Sequence, residues 1–256
     1  MRILLANDDG YHAPGLAVLE TIARQLSDDV WIVAPADEQS GTGRSLTLGR
    51  PLRAHRFADK RFAVTGTPTD AVMFALAQVM RDTPPDLILS GVNRGANLGE
   101  DVMYSGTASA AKEGALAGIR SVALSQVYGA VEPGDDVSFA VAEEWGTRVL
   151  RPLLDAEWAP RSMVNINFPM GDPVAVKGVR VVPQGLRDYG RARFDARKDP
   201  RGFDYYWLAL AGIATPGARD TDLTTVSDGW VTVTPLHLDL TLHSSLTSLR
   251  DVYARS

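Results

Sequence analysis

The chain has 256 residues, 45% apolar and 22% charged, with a formal net charge of −5 and no cysteine. That composition belongs to an ordinary globular protein. The acidic balance argues against a general DNA- or RNA-binding surface, which needs a basic stripe. The missing thiols exclude disulfides, thiol catalysis and zinc–thiolate sites. With about 150 residues per domain as a soft prior, one domain over 1–256 is expected, its core formed by about 1–185 plus 220–241. No stretch is long and apolar enough to span a bilayer. The acids at positions 8 and 9 do not suit a signal peptide, so the cytoplasm is the expected compartment.

Residues 2–7 read as a buried strand that runs into Asn7-Asp8-Asp9-Gly10. Leu16, Leu19, Ile22, Ala23 and Leu26 then share one helical face over 13–26, with Pro14 in its first turn. Residues 30–36 form a second buried strand, followed by the polar loop "DEQSGTGRSLT" (37–47) and a short hairpin over "PLRAHRF" and "RFAVTG". A helix is expected over 67–80, with Thr67 as N-cap, Pro68 at its first position and Asp70 completing a capping box. Strands are expected over 85–93, 121–127, 163–169 and 176–185, and helices over 107–119 and 136–155. Continuous apolar strands alternating with helices predict a mainly parallel sheet covered on both faces. The last third changes character. Residues 187–210 mix aromatics with charges and read as a β excursion, docked either on its own domain or on a second subunit. Residues 229–241 alternate like a late strand, and 244–256 form a tail or short helix.

In open α/β sheets ligands bind outside the carboxyl ends of the strands. Three polar clusters fall at such ends: 7–10, 37–41 and 90–97. Asp8 and Asp9 repel each other unless a cation lies between them, and oxygen-only ligation without cysteine or clustered histidine favours Mg²⁺ or Mn²⁺. Taken alone, "DDG" is better explained as an Asx-turn with Asp9 capping the next helix. In "GVNRGANLG" (91–99), Asn93 offers an amide oxygen and Asn97 a donor, although a plain glycine-rich turn explains the segment as well. Ser105-Gly106-Thr107 precede a helix, where free amides form an anion site or the serine is an ordinary cap. Ser40 carries a hydroxyl toward the sheet edge if its loop folds over it, and Arg44 is either a phosphate partner or a solvated cation. His12 is a rim residue or a proton donor. The P-loop ending, the Gly-x-Ser-x-Gly elbow and the zinc-motif spacing are all absent.

Together, "NDDG", "APADEQSGTGRSLT", "GTPTDAV", "LILSGVNRGANLGEDVMYSGTASAAKEG" and "GWVTVTPL" resemble the SurE family of stationary-phase survival proteins. The resemblance spans residues 1 to about 240 and is densest in the first 127. It implies an α/β, Rossmann-like three-layer fold with a mainly parallel sheet and a C-terminal β-rich arm exchanged between subunits of a homodimer or homotetramer. It implies a 5′-nucleotidase with one divalent ion per subunit, Mg²⁺ or Mn²⁺. The family's metal ligands fall on Asp8, Asp9, Ser40 and Asn93. Phosphate contacts are assigned to Asn97, Ser105, Gly106 and Thr107. The expected reaction is direct attack of metal-activated water on the phosphorus of a nucleoside monophosphate, with Asp8 or Asp9 as the proton acceptor. Alternatives are an aspartyl-phosphate route, a broader phosphomonoesterase acting on 3′-nucleotides or short polyphosphate, and a nucleotide-binding module without turnover. Neither a nucleic-acid polymer nor a membrane is expected as a partner.

Overall fold

Strand β1 (Arg2–Ala6) alternates its side chains between two apolar layers, Ile3 and Leu5 on one face, Leu4 and Ala6 on the other. The structure, a computed structural model, describes residues 1–129, 137–187, 192–210 and 219–254. Helix α1 (Pro14–Arg24) buries Leu16, Leu19 and Ile22 on the first face. β2 (Asp29–Pro35) lies parallel to β1, and β3 (Ala54–Ala58) and β4 (Arg61–Val64) form the hairpin at the sheet edge. Helix α2 (Pro68–Phe74) starts at the expected capping box: the Thr67 hydroxyl accepts from the Asp70 amide at 3.1 Å. It does not run regularly to residue 80. The last turn, Ala75–Val79, is π-helical, and the Met80 amide reaches back to the Ala75 carbonyl.

β5 (Leu87–Arg94) returns to the other side of β1. A 3₁₀ turn (Gly99–Met103) leads into α3 (Gly106–Leu116), whose small residues let it lie close to the second face. β6 (Arg120–Gln126) follows. Helix α4 (Ala140–Asp155) begins at 140 rather than 136; position 136 lies outside the described residues. After β7 (Ser162–Phe168), the strand expected over 176–185 is reduced to β8 (Val179–Val181). Pro183 has no N–H to extend the ladder, and its carbonyl is taken by the Asp222 amide at 3.0 Å. The excursion is a separate antiparallel hairpin, β9 (Ala192–Lys198) and β10 (Asp204–Leu210). The expected start of this excursion, at 188–191, is outside the described residues. A six-residue helix α5 (Asp222–Ser227), too short to show periodicity, precedes β11 (Val231–His237), and the tail forms α6 (Leu246–Tyr253).

The main sheet has nine strands in the order β3-β4-β2-β1-β5-β6-β7-β11-β8. From β4 to β7 every neighbour is parallel; β3 and β11 run antiparallel to their inner neighbours. The chain leaves β1 toward β2 and comes back to its other side at β5. The crevice between the carboxyl ends of β1 and β5 is therefore the topological switch point of the sheet. α1 and α4 cover one face, α2 and α3 the other.

The Thr67 hydroxyl also donates to the Ser45 carbonyl at 2.8 Å, so one side chain joins α2 to the 37–47 loop. Thr67→Ala is expected to lower the unfolding free energy by about 1–2 kcal/mol in urea denaturation, and Thr67→Ser by much less.

Candidate active site

The turn after β1 is closed by Asn7, not by an aspartate. Its side-chain amide donates to the Gly10 carbonyl at 2.8 Å, and Gly10 takes a φ of 99° that suits glycine. The N-cap of α1 is Ala13, with no side-chain cap, so Asp9 is not the helix cap that "DDG" alone suggested. Both carboxylates are released for other work.

Asp8 continues the parity of Leu4 and Ala6 and turns toward α3. It is 4% exposed. Its Oδ1 accepts from the Thr107 hydroxyl in a short hydrogen bond. Gly106 lies directly against it: a Cβ there would sit 2.7 Å from the Asp8 Cβ. Burial pushes the Asp8 carboxyl up to about 7, against the pull of the Thr107 hydrogen bond and with the help of the Asp9 charge. Asp9 turns toward the end of β5. Its Oδ2 accepts from the Arg94 backbone amide at 3.1 Å, and its carboxyl is raised by burial and by the charge of Glu38, against Arg94.

The 37–47 loop folds over this turn as Ser40 required. The Gln39 amide donates to the Asp8 carbonyl at 2.7 Å, which brings Ser40 next to the acids. The Ser40 hydroxyl donates to Glu38 at 3.0 Å. Arg44 is spent on structure, bridging to Glu113 of α3 at 2.9 Å. Asn93, at the end of β5, donates through Nδ2 to the Gly95 carbonyl at 2.8 Å, which leaves Oδ1 as its acceptor for a ligand. Asn97 is buried and already holds Ser125 Oγ at 2.9 Å through Nδ2. Ser105 is the N-cap of α3, accepting from the Ala108 amide at 2.9 Å. The Thr107 hydroxyl serves Asp8. Of the four residues assigned to phosphate, these three have their side chains in use within the protein, while Gly106 contributes backbone at the helix N-terminus. His12 is exposed, edge-on to the Tyr11 and Phe57 rings, at the rim.

A cleft of about 370 Å³ opens beside Asp9. Glu38 and Arg94 line its polar end, and Ala13, Pro14, Val137 and Phe139 its apolar wall. The sequence reading gives no role to Glu38, Arg94 or Phe139. Glu38 and Arg94 stand inside the strand-end clusters and were legible there; Phe139 reaches the cleft only through the packing of α4. The residues fit a hard divalent cation. Asp8, Asp9, Ser40 and Asn93 offer only oxygen, and both carboxyls are raised because the surrounding charge does not compensate their burial.

A mainly parallel α/β sheet with acids and amides at its switch point and a helix N-terminus beside them defines a doubly wound α/β protein of the kind that binds ligands at the strands' carboxyl ends. Residues 3–191 match the family model for survival protein SurE, and the chain belongs to that family. It is 68% identical over 253 residues to the 5′-nucleotidase SurE of Rhizorhabdus wittichii, covering 99% of this chain and 100% of that one. It is 55% identical over 246 residues to the 5′-nucleotidase SurE of Erythrobacter litoralis, covering 96% and 97%. The crystal structure of the SurE protein from Aquifex aeolicus superposes with a TM-score of 0.85 at 35% identity, over 99% of this chain and 100% of that one.

The raised Asp8 carboxyl makes the stability of the metal-free protein depend on pH. In chelator, its contribution to stability is complete below the unfolded value near 4. It declines as the pH rises to about 7, because the unfolded state gives up its proton first. Asp8→Asn should therefore stabilise the metal-free protein at pH 8, by on the order of 2 kcal/mol, and remove this pH dependence. Mn²⁺ should raise the melting temperature of the unsubstituted protein and leave that of Asp8→Asn unchanged. Thermal unfolding across pH, with and without the ion, checks both.

Proposed function

We propose that the chain is a divalent-metal-dependent 5′-nucleotidase that hydrolyses nucleoside monophosphates at the β1–β5 switch point. The observation that carries this reading is Asp8 buried against the N-terminus of α3 with its neighbour Asp9 opening into a cleft of about 370 Å³. Asp8, Asp9, Ser40 and Asn93 would hold one ion, Mg²⁺ or Mn²⁺. Bound there, it polarises the phosphoryl oxygen and acidifies water.

The remaining work falls to the chain. The Thr107 hydroxyl fixes the Asp8 carboxylate, and Gly106 keeps the α3 N-terminus close enough for its amides to face a phosphoryl group. Asn97 would add a phosphate contact through its second side-chain N–H and Ser105 through its hydroxyl proton, since both backbone amides are already donated to Asn167 and Asp101. The apolar wall at Val137 and Phe139 takes the nucleoside, while Arg94 stands at the mouth. Asp9, which opens to the cleft, is the carboxylate placed to take a proton from water attacking the phosphorus. The P–O5′ bond breaks, the proton taken by Asp9 is returned to the departing O5′ so that the nucleoside leaves as its 5′-hydroxyl, and no phosphoenzyme forms. The substrate implies an intracellular nucleotide pool, and with it a cytoplasmic location. The 1–256 chain is read as one such unit.

Phosphate release from a nucleoside monophosphate panel should require Mn²⁺ or Mg²⁺ and stop with chelator. Asp8→Asn and Asp9→Asn should each lower kcat at least about a thousandfold while the protein stays folded. Absence of metal-dependent release from every phosphomonoester would sink the enzyme reading. In a single turnover in heavy-oxygen water the label should enter phosphate; label in Asp8 or Asp9 would instead establish an aspartyl phosphate.

The β9–β10 hairpin supports assembly through the arm. Tyr206 and Trp207 are 60% and 61% exposed on opposite faces, and a lone two-stranded ribbon cannot bury both. A homodimer or homotetramer is expected by light scattering, and Trp207→Glu should lower its mass or raise its dissociation constant at least tenfold. A monomer at micromolar concentration removes this part of the reading.

A further inference from the structure

The segment from Asn93 to Thr107 carries most of the site, and much of it is not regular structure. Its middle is gripped from the C-terminal half of the chain. The Asn97 amide donates to Asn167 Oδ1 at 2.9 Å, and the Asn97 carbonyl accepts from Asn165 and Asn167 Nδ2 at 2.8 and 3.1 Å. Two residues on, the Gly99 amide donates to Asp222 Oδ2 at 2.8 Å, and the Gly99 carbonyl accepts from Gln184 at 2.7 Å.

Asp222 is fully buried, and a buried carboxylate is costly unless its oxygens are satisfied. Its two oxygens face different partners. Oδ1 accepts from the Leu223 and Gly185 amides at 2.9 and 2.7 Å. Oδ2 goes to Gly99, 123 residues away. A carboxylate that only capped α5 would need the Leu223 side alone. Gly185 is also the root of the arm: Arg187, two residues later, bridges to Asp101 at 2.7 Å and donates to the Leu98 carbonyl. One carboxylate thus joins the site segment, α5 and the chain leading to β9.

We propose that Asp222 is a positioning residue for phosphate hydrolysis: through Gly99 it sets the 93–101 segment, and through Gly185 it ties that segment to the root of the arm. The proposal rests on the reading of Asp8, Asp9, Ser40 and Asn93 as the metal site. It differs from a purely structural role in what it predicts. Loss of the Gly99 bond should misplace Asn93 and Asn97 while α5 stays formed. A misplacement of about 1 Å at a reacting centre costs on the order of a hundredfold in rate.

Asp222→Asn is the selective variant. An amide has one acceptor; turned toward Leu223 and Gly185 it keeps two bonds and presents N–H to N–H at Gly99. Three readouts on the full-length protein decide. Hydrogen exchange should speed up in 95–103 and stay unchanged in 222–233. Calorimetric Mn²⁺ affinity should fall about tenfold, as for residues that orient metal ligands. With a nucleoside monophosphate, kcat per folded molecule should fall about 10–100-fold with KM within about threefold. Gln184→Met, which removes only the donor to the Gly99 carbonyl, should move all three the same way by a smaller factor, and it decides the matter if Asp222→Asn does not fold. Unchanged exchange in 95–103 with unchanged Mn²⁺ affinity overturns the proposal. So does faster exchange over 222–233 with kcat per folded molecule intact, which marks a fold-only role. If the unsubstituted protein binds Mn²⁺ but hydrolyses no phosphomonoester, the nucleotidase reading fails, and the exchange and affinity readouts still decide on Asp222.

Discussion

The burial of the Asp8 carboxylate against the N-terminus of α3 is the interaction on which the site depends. A 4% exposed acid needs hydrogen bonds or a cation, and the protein supplies the Thr107 hydroxyl together with the backbone of Thr107 and of Asp8 itself. The same contact demands glycine at 106, since any side chain would meet Asp8. It also draws α3 down onto β1 and β5, which the run of small residues in that helix permits. The charge that Asp8 carries there is what the proposed divalent ion would neutralise.

Around this contact the two acids take different protein partners. Asp8 belongs to the α3 face and is held still. Asp9 belongs to the α1 face and opens to the cleft with Glu38 and Arg94. The 37–47 loop is laid over both by four tethers: Gln39 on the Asp8 carbonyl, Arg44 on Glu113, Ser45 under Thr67, and Thr47 on Asp70. The far end of the site is held from the C-terminal half through Asn167, Gln184 and Asp222.

Much of the architecture was legible because its signals are local. The apolar runs at 2–7, 30–36 and 85–93 are buried parallel strands, and the Thr67-Pro68-Asp70 start of α2 is where the capping box placed it. Boundaries failed where a distant contact intervened. The helix beginning at Pro68 ends in a π turn, and the strand expected to 185 stops at 181 because Pro183 turns the chain toward α5. At the site, the residue types at the strand ends were legible, and their hydrogen bonds were not. Asn7 rather than Asp9 makes the turn, Thr107 serves Asp8, and Arg44 serves Glu113.

By itself the sequence determined which strands are buried, which residues stand at their carboxyl ends, and that those residues bring oxygen ligands without thiols or clustered imidazoles. These follow from side-chain chemistry and from periods of 2 and 3.6 residues, which need no knowledge of neighbours. Only the tertiary structure decided that β1 and β5 are adjacent, that Asp8 meets Thr107 while Asp9 meets the Arg94 amide, and that Asp222 reaches Gly99 across 123 residues. The physical reason is that desolvation and hydrogen-bond partnership are set by what packs against a group. That is a property of the folded surroundings and not of the residue or its neighbours in the chain.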